Sequence, residues 1–225
     1  MKKYFAYILF IVLCVVLVGC GKNALEENGG VLEVVESAHY VYTESLEQML
    51  ERSNYTIVRC SVKSRSESKV IDNYGKLGDK DLLSETKRSE AIANIKTPYE
   101  LEISKVYLGD SVKSGDVITF NARYGYIEDM KCSYKIENYP ELAVGEEYIL
   151  FLSSKVINNK LIYYFSFPPA NALKLDKDNN TFSCVEEIGE GIFAQYKESI
   201  SELEYGIKTL VENNSYDSTP VIVYD

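Results

Sequence analysis

The chain has 225 residues, of which 46% are hydrophobic and 26% are charged, and this composition is typical of a folded globular protein. Residues 1–19 hold two lysines and no acidic residue, so a chain that begins at Cys20 carries 22 basic and 34 acidic residues, a net charge of −12. Such an acidic surface repels phosphate backbones, and nucleic acid is therefore excluded from the expected partners.

Residues 1–19 predict a secretory signal peptide. The segment begins with Lys2 and Lys3 and continues as an apolar run that ends in Leu-Val-Gly, directly before Cys20. The Leu-Val-Gly-Cys ending resembles the lipobox of bacterial lipoproteins, in which the cysteine becomes the first mature residue and carries the lipid. This resemblance implies lipid attachment at Cys20 and a protein anchored to the cell membrane, facing outside the cytoplasm. A transmembrane anchor is the alternative, because the apolar run is about long enough to span a bilayer.

The segment that follows predicts a tether and the start of a single domain. Residues 20–37 are short and polar and contain Gly29-Gly30, which favours a flexible link between lipid and domain. We therefore expect one domain over residues 38–225. Residues 43–52 predict a short N-terminal helix, with Thr43 as its N-cap and apolar residues at helical spacing.

The central part of the chain predicts β-structure. Residues 55–63 alternate between apolar and polar, so that Val58, Cys60 and Val62 face a core. Residues 99–108 alternate and then shift phase, which indicates a β-bulge near Ser104 and Lys105. Residues 147–153 form an almost continuous apolar run, as in a strand covered on both faces. Further strands are predicted at residues 117–122, 161–167, 172–175 and 181–185.

The C-terminal part predicts one long helix. Apolar side chains in residues 196–211 recur every three or four positions and give the helix one apolar face. The expected fold class is therefore mainly β with flanking helices (α+β), namely a β-barrel with a short N-terminal helix and a C-terminal amphipathic helix.

Three segments of this pattern resemble a known barrel. They read YTIVRCSV, YELEISKVYLGDSVKSGDVITF and LAVGEEYILFL. They are similar to the OB-type barrel of the netrin and tissue-inhibitor-of-metalloproteinase superfamily, and most of all to uncharacterised bacterial cell-surface lipoproteins with that barrel. The resemblance covers residues 55–153 and implies an OB-like, inhibitor-like fold. It does not imply the inhibitor mechanism, in which the free amine of a leading, disulfide-bonded cysteine binds the target's zinc, because Cys20 would be lipidated.

The sequence offers little catalytic chemistry. It holds one histidine, His39, and none of the GxSxG, phosphate-loop, HExxH or CxxC motifs. A single histidine cannot build a multi-histidine metal site or supply several catalytic bases. We expect a non-catalytic protein without a cofactor. A hydrolase that uses carboxylates alone is the lowest alternative.

One acidic segment matches the ligand spacing of a calcium loop. Asp176, Asp178, Asn180 and Glu187 stand at the first, third, fifth and twelfth positions of such a loop. Thr181 stands where the loop needs glycine, and the flanking residues predict strands rather than helices. A polar hairpin turn explains the same residues, and we favour the turn over a metal site.

Cysteine usage predicts one disulfide by exclusion. Cys14 leaves with the signal peptide, Cys20 takes the lipid, and Cys60 points into the core. The remaining two, Cys132 and Cys184, are the expected pair in a compartment that permits disulfides.

Tyrosines are concentrated in one predicted loop. Tyr124, Tyr126, Tyr134 and Tyr139 lie between Asn121 and Pro140, and exposed aromatic side chains on loops commonly bind sugars or peptides. The alternative, which we favour, is that they pack over one end of the barrel. The sequence thus predicts a lipid-anchored binding module whose partner is an envelope protein or peptide. A module that binds cell-wall or extracellular glycan through the tyrosine loop is the alternative.

Overall fold

The structure is a computed structural model that describes residues 24–28, 31–37, 43–72, 90–166 and 168–223. Among the described residues, two helices longer than four residues, α1 (Leu46–Glu51) and α2 (Ile200–Asn213), accompany a mainly β fold. The strands are β1 (Ala24–Asn28), β2 (Val31–Glu36), β3 (Tyr55–Arg65), β4 (Lys69–Val70), β5 (Ile95–Leu108), β6 (Val117–Ala122), β7 (Tyr124–Ile127), β8 (Cys132–Ile136), β9 (Glu147–Ile157), β10 (Lys160–Tyr164), β11 (Ala172–Asp176), β12 (Thr181–Cys184) and β13 (Val221–Val223). Short helical turns occur at Pro168–Ala170 and from Glu187 to Tyr196.

Five of the strands close into a mixed barrel. The long strand β3 pairs antiparallel with β5 and β9, β5 pairs antiparallel with β6, and β9 pairs antiparallel with β10. The barrel closes where β10 lies parallel to β6, with Tyr163 beside Phe120. The predicted fold class is therefore confirmed: the protein is mainly β, with a closed five-strand barrel and a C-terminal helix.

The barrel core follows the predicted alternation. Val58, Cys60 and Val62 of β3 are at most 1% exposed and belong to the core cluster inside the barrel. Strand β9 is covered on both faces, as its apolar run predicts: Leu150 packs in the barrel core, whereas Phe151 packs in a second cluster beneath α1 and α2. One strand thus joins the two hydrophobic cores.

The predicted bulge lies in β5. The β3–β5 register shifts between Arg59, which is opposite Lys105, and Cys60, which is opposite Ile103. Ser104 is the extra residue, and its hydroxyl donates a hydrogen bond of 3.1 Å to the carbonyl oxygen of Arg59. The inserted residue explains why the apolar phase of β5 changes at this point.

The segment expected to be a flexible tether is instead part of a second sheet. This small sheet has the order β1-β2-β8-β7, in which β2 runs antiparallel to β1 and parallel to β8. Val34 of β2 is 8% exposed and belongs to the barrel core cluster. The prediction of a flexible tether over residues 20–37 is therefore wrong for Ala24–Asn28 and Val31–Glu36, which form β1 and β2. The predicted signal peptide, Cys20 and His39 lie outside the described residues.

Both helices are capped by serines. The Ser45 side chain accepts a hydrogen bond from the amide of Gln48, so Ser45 and not Thr43 caps α1. Ser199 caps α2, which buries Ile200, Leu203 and Ile207 against the second core cluster. Within the described ranges, no helix is long and apolar enough to cross a membrane.

Truncating the buried face of α2 should destabilise the fold, whereas truncating its exposed face should not. Leu203 is fully buried and Tyr205 is 73% exposed on the same helix. Leu203→Ala is expected to lower the free energy of unfolding by about 2–5 kcal/mol through the cavity that it leaves. The matched control Tyr205→Ala is expected to change it by less than about 0.5 kcal/mol. Urea denaturation measures both, and equal effects would contradict the packing described for α2.

Candidate functional site

The four candidate tyrosines lie on a β-hairpin and the turn after it, not on a loop. Tyr124 and Tyr126 are in β7, Tyr134 is in β8, and Tyr139 follows β8. Three of them are at most 5% exposed, and Tyr126 is 40% exposed. The structure therefore places most of this group in the core over one end of the barrel, as the packing alternative predicted.

Hydrogen bonds fix the buried tyrosines to the barrel and to β2. The hydroxyls of Tyr124 and Tyr99 are 2.5 Å apart, and burial raises the pKa of both. The Arg65 guanidinium lies 5.8 Å from the centre of the Tyr124 ring and 5.9 Å from that of Tyr99. This arrangement holds the hairpin against the end of β3 and leaves the Tyr124 phenol protonated at neutral pH.

A second set of contacts joins β2 to the hairpin. The Tyr134 hydroxyl donates a hydrogen bond to the Glu36 carboxylate at the end of β2. It also accepts one from Arg123 at 3.2 Å, and Arg123 lies 3.5 Å from Glu36. Burial raises the pKa of Tyr134, so that its hydroxyl keeps the proton that it donates. These contacts tie the end of β2 to the barrel.

The hairpin and the end of β2 enclose a cleft of about 590 Å³, which we call the tyrosine–glutamate cleft. Its apolar wall combines Val35 of β2 with Ile136, Tyr124 and Tyr139. Its polar residues include three glutamates, one lysine and Asn138. The complete lining is Val35, Ser37, Tyr124, Lys135, Ile136, Glu137, Asn138, Tyr139, Glu141 and Glu186. A partly apolar cleft with a few polar groups is the usual form of a ligand site.

The electrostatics of the cleft favour a positively charged occupant. Burial raises the pKa of Glu186, and the charges of Glu141 and Glu187 raise it further. Among the described residues, neither Glu141 nor Glu186 has an ion-pair partner. Lys135, the cation in the lining, lies 3.4 Å from Glu33 of β2. A cation placed between the two carboxylates would relieve their repulsion.

The calcium-like segment is a hairpin turn between β11 and β12. The Asp176 carboxylate accepts hydrogen bonds from the amides of Asp178 (3.1 Å) and Asn179 (3.2 Å), and from the Asn179 side chain (2.8 Å). The bonds from Asn179 hold the pKa of Asp176 below its usual value. Asn180 adopts a left-handed conformation with φ of 53°.

Two other candidate calcium ligands of that segment, Asn180 and Glu187, belong to different local structures. The Asn180 side-chain oxygen accepts a bond from Ser201, and Glu187 begins a separate helical turn. No group of three or more His, Cys, Asp or Glu side chains is placed to hold a metal ion within the described part of the chain.

The predicted disulfide is not formed in the structure. Cys132 is fully buried in the barrel core, and its thiol donates a hydrogen bond of 3.6 Å to the carbonyl oxygen of Ser133. Cys184 is a free thiol that packs against the second core cluster, and burial raises its pKa to about 12. The sequence predicts this pair by exclusion, but the fold places Cys132 and Cys184 at different hydrophobic cores.

The cleft contains residues that the sequence did not single out. Tyr124 and Tyr139 were candidates, but Glu141 and Glu186 carry no local motif and are far apart in the chain. They meet because the turn before β9 and the segment after β12 reach the same end of the barrel. No family model, curated protein or solved structure matches the chain.

Calcium should have no effect on the stability of the β11–β12 hairpin. Because the Asp176 carboxylate already accepts hydrogen bonds from its own turn, millimolar calcium is expected to leave the melting temperature unchanged. Asp176→Ala is expected to lower the melting temperature by the same amount with and without calcium. Thermal unfolding of both proteins tests this, and a calcium-induced rise that the substitution abolishes would restore the metal interpretation.

Removing the charge of Glu186 should stabilise the protein at neutral pH. The folded-state pKa of Glu186 is raised, so its favourable contribution exists below the unfolded pKa of about 4.3 and is lost as pH rises through the folded pKa. Glu186→Gln is therefore expected to raise the melting temperature at pH 7 and to have little effect near pH 3.5. Glu212→Gln, at an exposed position of α2, is the control. A lower melting temperature for Glu186→Gln at pH 7 would show that the carboxylate stabilises the fold.

Proposed function

We propose that this protein is a non-catalytic binding module, anchored by lipid at Cys20 and facing outside the cytoplasm, which holds an envelope protein or peptide in the tyrosine–glutamate cleft. The Leu-Val-Gly-Cys ending supports the anchor. The acidic composition also supports the anchor. With a net charge of −12 the mature chain is not attracted to anionic headgroups, so its attachment to the membrane would depend on the lipid. Stable attachment by lipid needs more than one acyl chain, and the lipoprotein resemblance implies a multiply acylated cysteine.

We also infer that the barrel is of the OB type found in the netrin and tissue-inhibitor-of-metalloproteinase superfamily. The support is the closed arrangement of five strands in the order β3-β5-β6-β10-β9, with four antiparallel pairings and one parallel pairing that closes the barrel. A barrel of this size fills its interior with side chains, so binding would use its ends or outer face.

The observation that carries the proposal is the composition of the cleft. Glu141 and Glu186 face the same space beside the aromatic side chains of Tyr124 and Tyr139. A lysine or arginine of a bound peptide would form charge-assisted hydrogen bonds with the two carboxylates. The neighbouring apolar side chains of Val35 and Ile136 would pack against the remainder of the segment.

The glycan alternative has less support. A glycan-binding surface of the predicted kind needs several exposed tyrosine rings on which sugars can stack. Of the four tyrosines considered, Tyr126 is exposed and the other three are buried. The carboxylates and the apolar wall of the cleft favour a peptide.

A pull-down that depends on the cleft tests the proposal. The full lipidated chain, extracted in detergent, would be cross-linked to an envelope extract of its own cells, and captured proteins would be identified by mass spectrometry. The test variant is Glu141→Gln/Glu186→Gln. The matched control is Glu202→Gln/Glu212→Gln, which removes the same charge from exposed positions of α2.

We expect one protein to be recovered in near-equal amounts with the unsubstituted chain and with the control. Recovery should fall by about tenfold or more with the cleft variant, since a hydrogen bond to a charged group contributes about 1.5–3 kcal/mol. A partner whose capture is equal in all three proteins would show that binding uses another surface. The absence of any captured protein would favour a glycan.

A further inference from the structure

We propose that the tyrosine–glutamate cleft faces the membrane, and that its occupant is a cationic, membrane-proximal segment of a protein embedded in the same membrane. This inference deepens the proposed function and rests on its lipid anchor at Cys20. It is carried by the short distance along the chain between Cys20 and β1, and by the register that places β1 beside the cleft.

The anchor can reach only a short distance from the domain. Gly21, Lys22 and Asn23 separate Cys20 from Ala24, the first residue of β1. The four residue steps from Cys20 to Ala24 span at most about 14 Å even when fully extended. A lipid on Cys20 therefore holds the backbone of Ala24 within that distance of the headgroup layer.

Strand register places Ala24 at the cleft. Ala24 pairs with Val35 of β2, and Val35 pairs with Lys135 of β8. Both Val35 and Lys135 line the tyrosine–glutamate cleft. Neighbouring strands lie about 5 Å apart. The backbone of Val35 is therefore about 5 Å, and that of Lys135 about 10 Å, from Ala24, the described residue nearest to the anchor.

The end of β2 is fixed to the barrel, so the position of the anchor determines how the domain is oriented. Strand β2 pairs with β8 along its length, from Leu32 to Glu36, and Val34 is buried in the barrel core. Glu36 is held by Tyr134 and Arg123. A short anchor joined to a fixed strand brings the cleft end of the domain toward the bilayer.

The turn between β9 and β10 marks the opposite end of the barrel. Strand β10 runs parallel to β6, and β6 ends at Ala122, next to the Arg123 that contacts Glu36. The β9–β10 turn, with Asn158 and Asn159, therefore lies near the beginning of β6. The length of β6 separates the two ends by about 20 Å.

Charge distinguishes a peptide from a lipid headgroup as the occupant. Glu141 and Glu186 would repel an anionic headgroup, and among the described residues they have no ion-pair partner. A lysine or arginine just outside a transmembrane segment has the complementary charge and lies at the height where the cleft would open. The structure thus favours a segment of a neighbouring membrane protein.

Two matched probe positions test the orientation. Asn138 at the cleft and Asn159 at the far turn are both exposed, and their φ angles are 55° and 60°. Each would be replaced by cysteine in the full lipidated chain, in a Cys184→Ser background, and labelled with the same fluorophore. The proteins would be placed in vesicles of neutral lipid and in vesicles with added anionic lipid, which carry a short-range quencher in the headgroup region.

We expect the headgroup quencher to act several-fold more strongly on the Asn138 probe than on the Asn159 probe. A flexible insert of twenty Gly and Ser residues between Gly21 and Lys22, with an r.m.s. length of about 25 Å, should remove this difference. Equal quenching of the two probes without the insert, or stronger quenching at Asn159, would overturn the proposed orientation. A difference that persists with the insert would overturn the role of the short anchor.

The outcomes separate this inference from the proposed function. Cross-linking in intact membranes should capture the partner with the normal anchor and lose it with the insert, whereas capture in detergent should not depend on the insert. Capture that depends on Glu141 and Glu186, together with equal quenching, would leave the function standing and overturn the orientation. Quenching at Asn138 that rises only when anionic lipid is added, and rises further in Glu141→Gln/Glu186→Gln, would identify the headgroup as the occupant and overturn the peptide.

Discussion

The structure depends on the closure of the barrel between β6 and β10. That closure is a single parallel pairing, Tyr163 beside Phe120, and it is reinforced by aromatic packing, since the rings of Phe120 and Phe165 have centroids 4.6 Å apart. It is achieved because β9 is long enough to pair with β3 through its first part and with β10 through its last part. Once the barrel is closed, its end needs a cover. The β7–β8 hairpin and β2 supply that cover, and the tyrosine–glutamate cleft lies where they end.

The second core, outside the barrel, fixes the C-terminal helix to the other face of β9. Arg59 of β3 lies 2.8 Å from Glu147 of β9 and 3.0 Å from Glu204 of α2, and Tyr107 donates a hydrogen bond of 2.5 Å to Glu204. Partly exposed ion pairs contribute little by themselves. The buried apolar side chains of α2 therefore carry most of the stabilisation, while this network sets the position of the helix along the barrel. The two cores leave the cleft end free of α2, so that binding there need not disturb the helix.

Most of the barrel was predictable from sequence because its strands have strong local patterns. The alternation in β3, the two-sided apolar run of β9 and the phase change at Ser104 each follow from residues close together in the chain. The small sheet was not predictable in this way, because β1 and β2 flank a Gly29-Gly30 pair and β2 pairs with β8, which is distant in sequence. For the same reason the sequence alone predicts a loop at the tyrosine segment, where the structure has the β7–β8 hairpin. The cleft depends on two glutamates brought together by topology, so no local motif could identify it.

The charge of the cleft is informative because the fold does not require it. Tyr124 and Tyr139 are buried and hold the hairpin in place, so a structural role accounts for them. Glu141 and Glu186 differ, because both line the cleft and the pKa of Glu186 is raised by burial and by the charge of Glu141. Two carboxylates that repel each other at neutral pH reduce the stability of the free protein, and a ligand that neutralises them recovers that free energy on binding. Groups whose pKa values are perturbed in this way are concentrated at functional sites. In the site that we propose, the aromatic wall would provide the shape and the carboxylates would select a cationic occupant.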